Sequence, residues 1–268
     1  TLGTELTIGK IDIGLLNRII IDDVLLDDQS GKEMLKITRL SAKFDIIPLF
    51  NGKITISSVQ LFGFNINLNK PAPHMEPNFN FVLDAFASTD TVKTKKDIDL
   101  RINSILIRRG KLSYDVLSEE ETPGKFNPQH IKLHNIIANI SLKALQNDSI
   151  NAAIKRLSVD EQSGFELRKL SLKVIANNKG MKIENFAIEM PGTEMKMDTI
   201  RMEYDSLKAL NHFADNVRFS FRTLPSHVTL NDISAFVPAL SNFKEKLDLN
   251  IDVEGTLNKL NCRTLEIN

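Results

Sequence analysis

Tryptophan is absent from this sequence, aromatic residues make up only 6%, and cysteine occurs once, at Cys262. A single thiol makes no internal disulfide and no cysteine metal cluster. Neither charge is in excess, with 34 Lys and Arg against 34 Asp and Glu. A neutral balance sets up no long-range field toward a polyanion, so nucleic acid is not an expected partner. The short basic clusters Lys93-Thr94-Lys95-Lys96 and Arg108-Arg109 stand beside acidic stretches and read as solvated surface. No run of about eighteen apolar residues is present to cross a membrane as a helix.

The chemistry-bearing motifs are missing as well. Gly31-Lys32, Gly52-Lys53 and Gly124-Lys125 lack the upstream Gly and the following Ser or Thr of a phosphate-cradling loop. No strand leads into a Gly-rich dinucleotide turn, and no nucleophile elbow occurs. Asp27-Asp28-Gln29-Ser30-Gly31 has the wrong register for a calcium loop and reads as a polar turn between strands. His130 and His134 alternate with Ile131 and Leu133, as in a strand. That spacing holds them about 13 Å apart, too far for one zinc ion. His74, His212 and His227 have no neighbouring acid or nucleophile pattern, and Glu119-Glu120-Glu121 reads as an exposed loop. No catalytic residue, cofactor site or metal site is therefore expected.

What the sequence does have is period-two alternation. Phe64-Asn65-Ile66-Asn67-Leu68, Leu170-Ser171-Leu172-Lys173-Val174 and Leu247-Asp248-Leu249-Asn250-Ile251-Asp252-Val253 each put apolar residues on one face and polar ones on the other. Turn residues punctuate these runs at Asn51-Gly52, Gly110, Asn177-Asn178-Lys179-Gly180 and Pro191-Gly192. The pattern predicts an all-β chain, mostly antiparallel. Three short helices are expected, over Asn78–Ala87, Asp205–Ala214 and Asp232–Leu240, with Asp205 and Asp232 as N-caps. Met181 to Met202 is rich in Met and reads as packing under a sheet, or as an adaptable apolar surface.

One spacing recurs. Ile56-x-x-Val59-x-Leu61-x-Gly63, Ile102-x-x-Ile105-x-Ile107 before Gly110, and Ile183-x-x-Phe186-x-Ile188 before Gly192 each break alternation by one residue. A β-bulge after the first apolar residue would restore the apolar face, and the glycine would then reverse the chain. The apolar face of such a sheet has to be hidden. Either a second sheet closes over it as a sandwich, or the sheet curls into an open groove.

The stretch from Ile37 to Leu68, ITRLSAKFDIIPLFNGKITISSVQLFGFNINL, joins a strand, a short apolar turn and a Gly-Lys-led strand. It resembles the N-terminal signature of the AsmA/TamB family. Val253-Glu254-Gly255-Thr256-Leu257-Asn258-Lys259-Leu260, with Leu265 and Ile267, is similar to the repeat of the TamB branch, the translocation and assembly module proteins.

The resemblance implies a non-enzymatic periplasmic segment of a Gram-negative envelope protein. Residues 1–268 would form one elongated β-rich piece, anchored to the inner membrane by a segment outside this sequence. Its fold would be a curled sheet whose groove shelters or conducts phospholipid between the two membranes. Phospholipid acyl chains and a TamA-like outer-membrane assembly protein are the implied partners. Ile56, Val59, Leu61, Ile66, Leu68, Ile102, Ile105 and Ile107 are the candidate groove lining. The alternative is a scaffold for outer-membrane protein assembly that takes client strands at a sheet edge.

Overall fold

The computed structural model describes residues 3–15, 17–45, 54–87, 98–99, 102–146 and 149–268. They form one long, mostly antiparallel sheet of fifteen strands, the two-residue β5 included. The strands are β1 (Leu6–Gly14), β2 (Arg18–Asp27), β3 (Glu33–Phe44), β4 (Ile54–Lys70), β5 (Ile98–Asp99), β6 (Ser104–Val116), β7 (His130–Gln146) and β8 (Ser149–Glu161). They continue with β9 (Glu166–Asn177), β10 (Gly180–Glu189), β11 (Glu194–Glu203), β12 (Arg218–Thr223), β13 (Ser226–Val228), β14 (Leu247–Thr256) and β15 (Lys259–Ile267). Neighbours in the sheet run β1-β2-β3-β4-β6-β7-β8-β9-β10-β11-β12-β14-β13, with β15 beside β14 and β5 beside β4.

The chain divides into two compact units, residues 1–137 with 159–164, and residues 138–158 with 165–268. Among the described residues of the first unit, two pairings depart from the antiparallel order, both on β4: the two-residue β5 and the long β6 run parallel to it. β4 and β6 lie parallel, Val59 opposite Ile105 and Leu61 opposite Ile107. A parallel step needs a crossover, and helix α1 (Asn80–Ala87) lies on that connection. Phe81 of α1 is buried against Leu26 and Met34, with Phe79, Val82, Leu35 and Leu68 packed around them. The helix thus covers one end of the apolar face.

Polar turns close the strands. The Asp28 carboxylate accepts hydrogen bonds from the Ser30 and Lys32 amides at 2.8 and 3.1 Å and from the Asn78 amide at 3.3 Å. Burial pushes this carboxyl up, but the Ser30, Lys32 and Asn78 bonds outweigh it and hold it below the usual carboxylate range. The expected polar turn is therefore an Asp-centred one.

In the second unit, Asn177 caps the expected β9–β10 turn by accepting from the Lys179 and Gly180 amides. β10 and β11 pair with Met181 opposite Met202, Phe186 opposite Met197 and Ile188 opposite Met195. The Met-rich stretch is thus two facing strands of one sheet.

The two later helix expectations hold only as short turns. Leu207–His212 is a 3-10 turn continued by the four-residue helix α2 (Phe213–Asn216), and Leu230–Ile233 and Pro238–Leu240 are further 3-10 turns. Neither expected aspartate is an N-cap; Ser206 and Thr229 stand at those positions. The Asp232 carboxylate instead accepts the Gly192 amide at 2.9 Å, because that bond ties the 229–246 segment to the β10–β11 turn.

Candidate functional site on the apolar sheet face

Seven of the eight candidate lining residues lie on two paired strands. Val59 and Leu61 of β4 stand opposite Ile105 and Ile107 of β6, while Ile66 and Leu68 face Leu112 and Tyr114 further along. Ile56 sits opposite Phe44 of β3. Ile102 precedes β6, where the Asn103 amide bonds the Ser57 carbonyl at 2.9 Å and keeps the segment beside β4. All eight are half-buried. A sandwich core would bury them fully, and among the described residues no second sheet packs over this face.

The bulge predicted after Ile56 is present, as a register shift against β3 between Lys43 and Phe44. The bulge predicted after Ile183 is present too, against β9 between Glu184 and Ala187, with Asn185 at φ 54°. The expected reversals at Gly63 and Gly110 are not. β4 runs on through Gly63 to Lys70, and β6 through Gly110 to Val116. Only Gly192 lies in a reversal, between β10 and β11.

The reason is a second break in alternation. Along β4 the apolar face is held by Val59 and Leu61, then by Phe64, Ile66 and Leu68, so the phase slips by one residue at Gly63. Gly63 takes φ 65°, where a side chain is strained, and a Cβ there would lie 2.7 Å from the Thr38 hydroxyl. Neighbouring strands slip at the same level. Left-handed residues occur at Asp23 in β2 (φ 55°), Arg109 in β6 (φ 56°) and Asn135 in β7 (φ 53°). Because every strand slips together, pairing survives on either side, with Val24 opposite Ile37 and Asp22 opposite Arg39.

This alignment makes the apolar face continuous. Val24, Ile37 and Phe64 are buried in its centre, with Ile21, Leu35, Leu40, Leu61, Ile66, Ile107 and Ile136 packed against them. The sequence reading missed Ile21, Val24, Ile37, Leu40, Phe64 and Ile136. The same Ile/Leu pair-and-slip spacing in β2 and β3, Ile19-x-Ile21-x-x-Val24-x-Leu26 and Leu35-x-Ile37-x-x-Leu40, carried the signal.

The other face is polar and ion-paired. Arg39 holds Asp22 through two bonds of 2.6 and 3.0 Å, Nε to Oδ1 and Nη2 to Oδ2. The second unit has ion pairs of its own, with Arg222 holding Asp252 and Glu254 taking both Arg218 and Arg263. Glu184 of β10 bonds both Lys173 of the neighbouring β9 and Lys182 of its own strand, which hold its carboxyl down to about 2.

One acidic cluster invites a metal reading. Asp115, Glu121 and His130 bring ligand atoms within 4.8 Å of one another. Both His130 nitrogens are already engaged, Nδ1 with the Asp115 carboxylate and Nε2 with the Glu119 carbonyl, each at 3.0 Å. A carboxylate at one ring nitrogen and a carbonyl at the other favour the protonated ring. The hydrogen bond to Asp115 raises the His130 pKa above its ordinary value, against the opposing effect of burial. Asp115 and His130 clasp the 117–129 loop, while Glu121 pairs with Lys132 at 2.9 Å.

Compared with known protein families and with curated proteins, the chain matches none.

Proposed function

We propose that this chain is a non-enzymatic lipid-sheltering segment of the AsmA/TamB type, working in the periplasm of a Gram-negative envelope. The observation that carries the reading is the uncovered apolar face. Val59, Leu61, Ile105 and Ile107 pair across β4 and β6 in full register, yet each is only half-buried. Water against such a face is unfavourable, and each methylene of an acyl chain laid along it would contribute about 0.8 kcal/mol. Contact of this kind needs no polar site residue, which agrees with the sequence motifs found. Helix α1 closes one end of the face through Phe81 and so gives a bound chain a stop. The partners of this reading are phospholipid acyl chains and a TamA-like outer-membrane protein.

Native mass spectrometry of the purified chain with lipid extraction tests it. The expected result is co-purifying phospholipid, lost in Val59→Asp and Ile105→Asp without loss of strand signal in circular dichroism. Lipid retained by a folded double variant would sink the reading.

A second reading, client-strand capture at a sheet edge, draws on β1. Its residues Leu6 to Ile13 are exposed throughout, with Ile11 at 60% and Ile13 at 89%, and among the described residues it pairs only with β2. An unpaired strand edge is a template for another strand.

A further inference from the structure

The end strand β1 carries the slipped spacing of its neighbours, Leu6-x-Ile8-x-x-Ile11-x-Ile13. Opposite these four stand Leu26, Val24, Ile21 and Ile19 of β2. Directly opposite residues share a face, and Val24 and Ile21 belong to the packed apolar cluster. The four β1 side chains therefore carry the apolar face out to the rim of the sheet, where Leu6 is 49% and Ile8 41% exposed.

The backbone at this rim is open as well. Glu5 turns its carbonyl to β2, where it accepts the Asp27 amide at 3.1 Å. Side-chain face and hydrogen-bonding side alternate together along a strand. Leu6, Ile8, Ile11 and Ile13, all on one face, thus turn their N–H and C=O groups away from β2. Among the described residues no strand pairs with them.

The spacing reads the same in both directions. Reversed about the Gly9–Lys10 bond, Leu6 falls on Ile13, Thr7 on Asp12 and Ile8 on Ile11. A second β1 laid antiparallel in that register matches apolar to apolar along the whole strand, the slips of both strands meeting at the centre. A shift of one residue would put these side chains on opposite faces. The other end strand, β15, has a similar spacing, Leu260-x-Cys262-x-x-Leu265-x-Ile267, but it is bulged. Arg263 is left over between Thr264 and Cys262, which face Asp252 and Val253 of β14, and a bulge blunts an edge. Contact of β1 with the β15 of another copy would also set Lys10 opposite Arg263, like charges across a pair. Paired with itself, β1 sets Lys10 opposite Gly9.

We infer that β1 is a self-pairing edge that joins two copies of this chain in a two-fold antiparallel dimer. Leu6 pairs with Ile13 of the second copy and Ile8 with Ile11, each pair exchanging two backbone hydrogen bonds. The two-fold axis stands perpendicular to the sheet, so the apolar faces of the two copies meet on one side as a single surface. Such a contact uses the same patch on both copies and closes at two. It needs no lipid and goes beyond the sheltering role.

Sedimentation velocity of the full chain tests the dimer, and disulfide trapping tests its register. The expected result is a dimer that Ile11→Pro converts to a monomer, because proline removes a donor that bridges the copies. That N–H faces away from β2, so the β1–β2 pairing tolerates the substitution. In a Cys262→Ser background, Thr7→Cys and Asp12→Cys chains mixed under mild oxidation should form a mixed disulfide. Positions 7 and 12 meet as a pair without hydrogen bonds, with Cα atoms about 4.5 Å apart, within disulfide reach. Either variant alone should stay reduced, since its two thiols would lie five residues apart along the strands, about 17 Å. The trapping reads the edge even where Ile11→Pro fails to fold. A monomer at every concentration would overturn the inference and leave the edge to a client strand. A dimer unchanged in folded Ile11→Pro, or like disulfides as abundant as the mixed one, would overturn it as well.

Discussion

At the scale of single residues, the slip row concentrates the positions that tolerate least. Gly110 faces the apolar side, and a Cβ there would lie 2.4 Å from the Phe64 ring and 3.0 Å from Ile136 Cβ. Phe64 is itself buried at the centre of the packed cluster, so it has little room to give. Gly110→Ala should destabilise the first unit by about 1–3 kcal/mol, the usual cost of overpacking. Gly124→Ala is the control, because nothing lies within 4 Å of that position, though its φ of 72° adds backbone strain. Denaturant unfolding followed on both variants checks this, and equal midpoints would contradict it.

His130 supplies a pH dependence at the same scale. Its folded pKa is raised by the hydrogen bond to Asp115, so the stabilisation is complete below the ordinary histidine value. It is then lost as pH rises through the folded value. His130→Gln should flatten the stability profile across that window and leave the acid side weaker than wild type. A melt series over that range measures it; an unchanged slope would remove this role of His130. Asp28 acts in the opposite direction, since its lowered pKa gives stabilisation that is lost as pH falls.

Among the elements, helix α1 is the clearest case of one segment setting what a face can do. Phe81 should cost about 3–5 kcal/mol on replacement by Ala, the range for a buried aromatic. Leu83 on the same helix is 54% exposed and should cost little. Chemical denaturation of the two variants makes the comparison, and similar losses would mean that the helix does not pack as described.

The strands were legible in the sequence because period-two alternation is written in every run, and the bulges after Ile56 and Ile183 were legible from a single slipped spacing. The reversals assigned to Gly63 and Gly110 were not. A left-handed residue, Gly63 in β4 or Arg109 beside Gly110 in β6, serves a mid-strand slip as well as a turn, and only the neighbours decide. Gly63 meets Thr38 and Gly110 meets Phe64, contacts between strands far apart in sequence. The parallel step between β4 and β6 was illegible for the same reason: pairing direction leaves no mark on alternation. Of the apolar cluster only Leu61, Ile66 and Ile107 were named as lining, and its buried centre, Val24, Ile37 and Phe64, was missed, since assembling the patch needs the shared level of the slips.

For the molecule as a whole, the balance between surface and core decides behaviour in solution. Among the described residues fifteen hydrophobic side chains are buried, while twenty large ones are exposed. The net charge is zero and the sequence pI is about 6.9, so near neutral pH little repulsion opposes contact between exposed apolar surfaces. Self-association measured by light scattering should peak near pH 7 and fall on either side. Two surfaces compete as its cause, and they respond differently. If the apolar face drives it, Val59→Asp with Ile105→Asp should abolish the peak, and so should a short-chain phospholipid that covers the face. If the edge drives it, neither should matter, whereas Ile11→Pro in β1 should, because proline removes a backbone donor and breaks strand pairing. Suppression by lipid and by the aspartates, with no effect of proline, would bind the apolar face to the lipid-sheltering role. The reverse pattern would move the molecule's function to its edge.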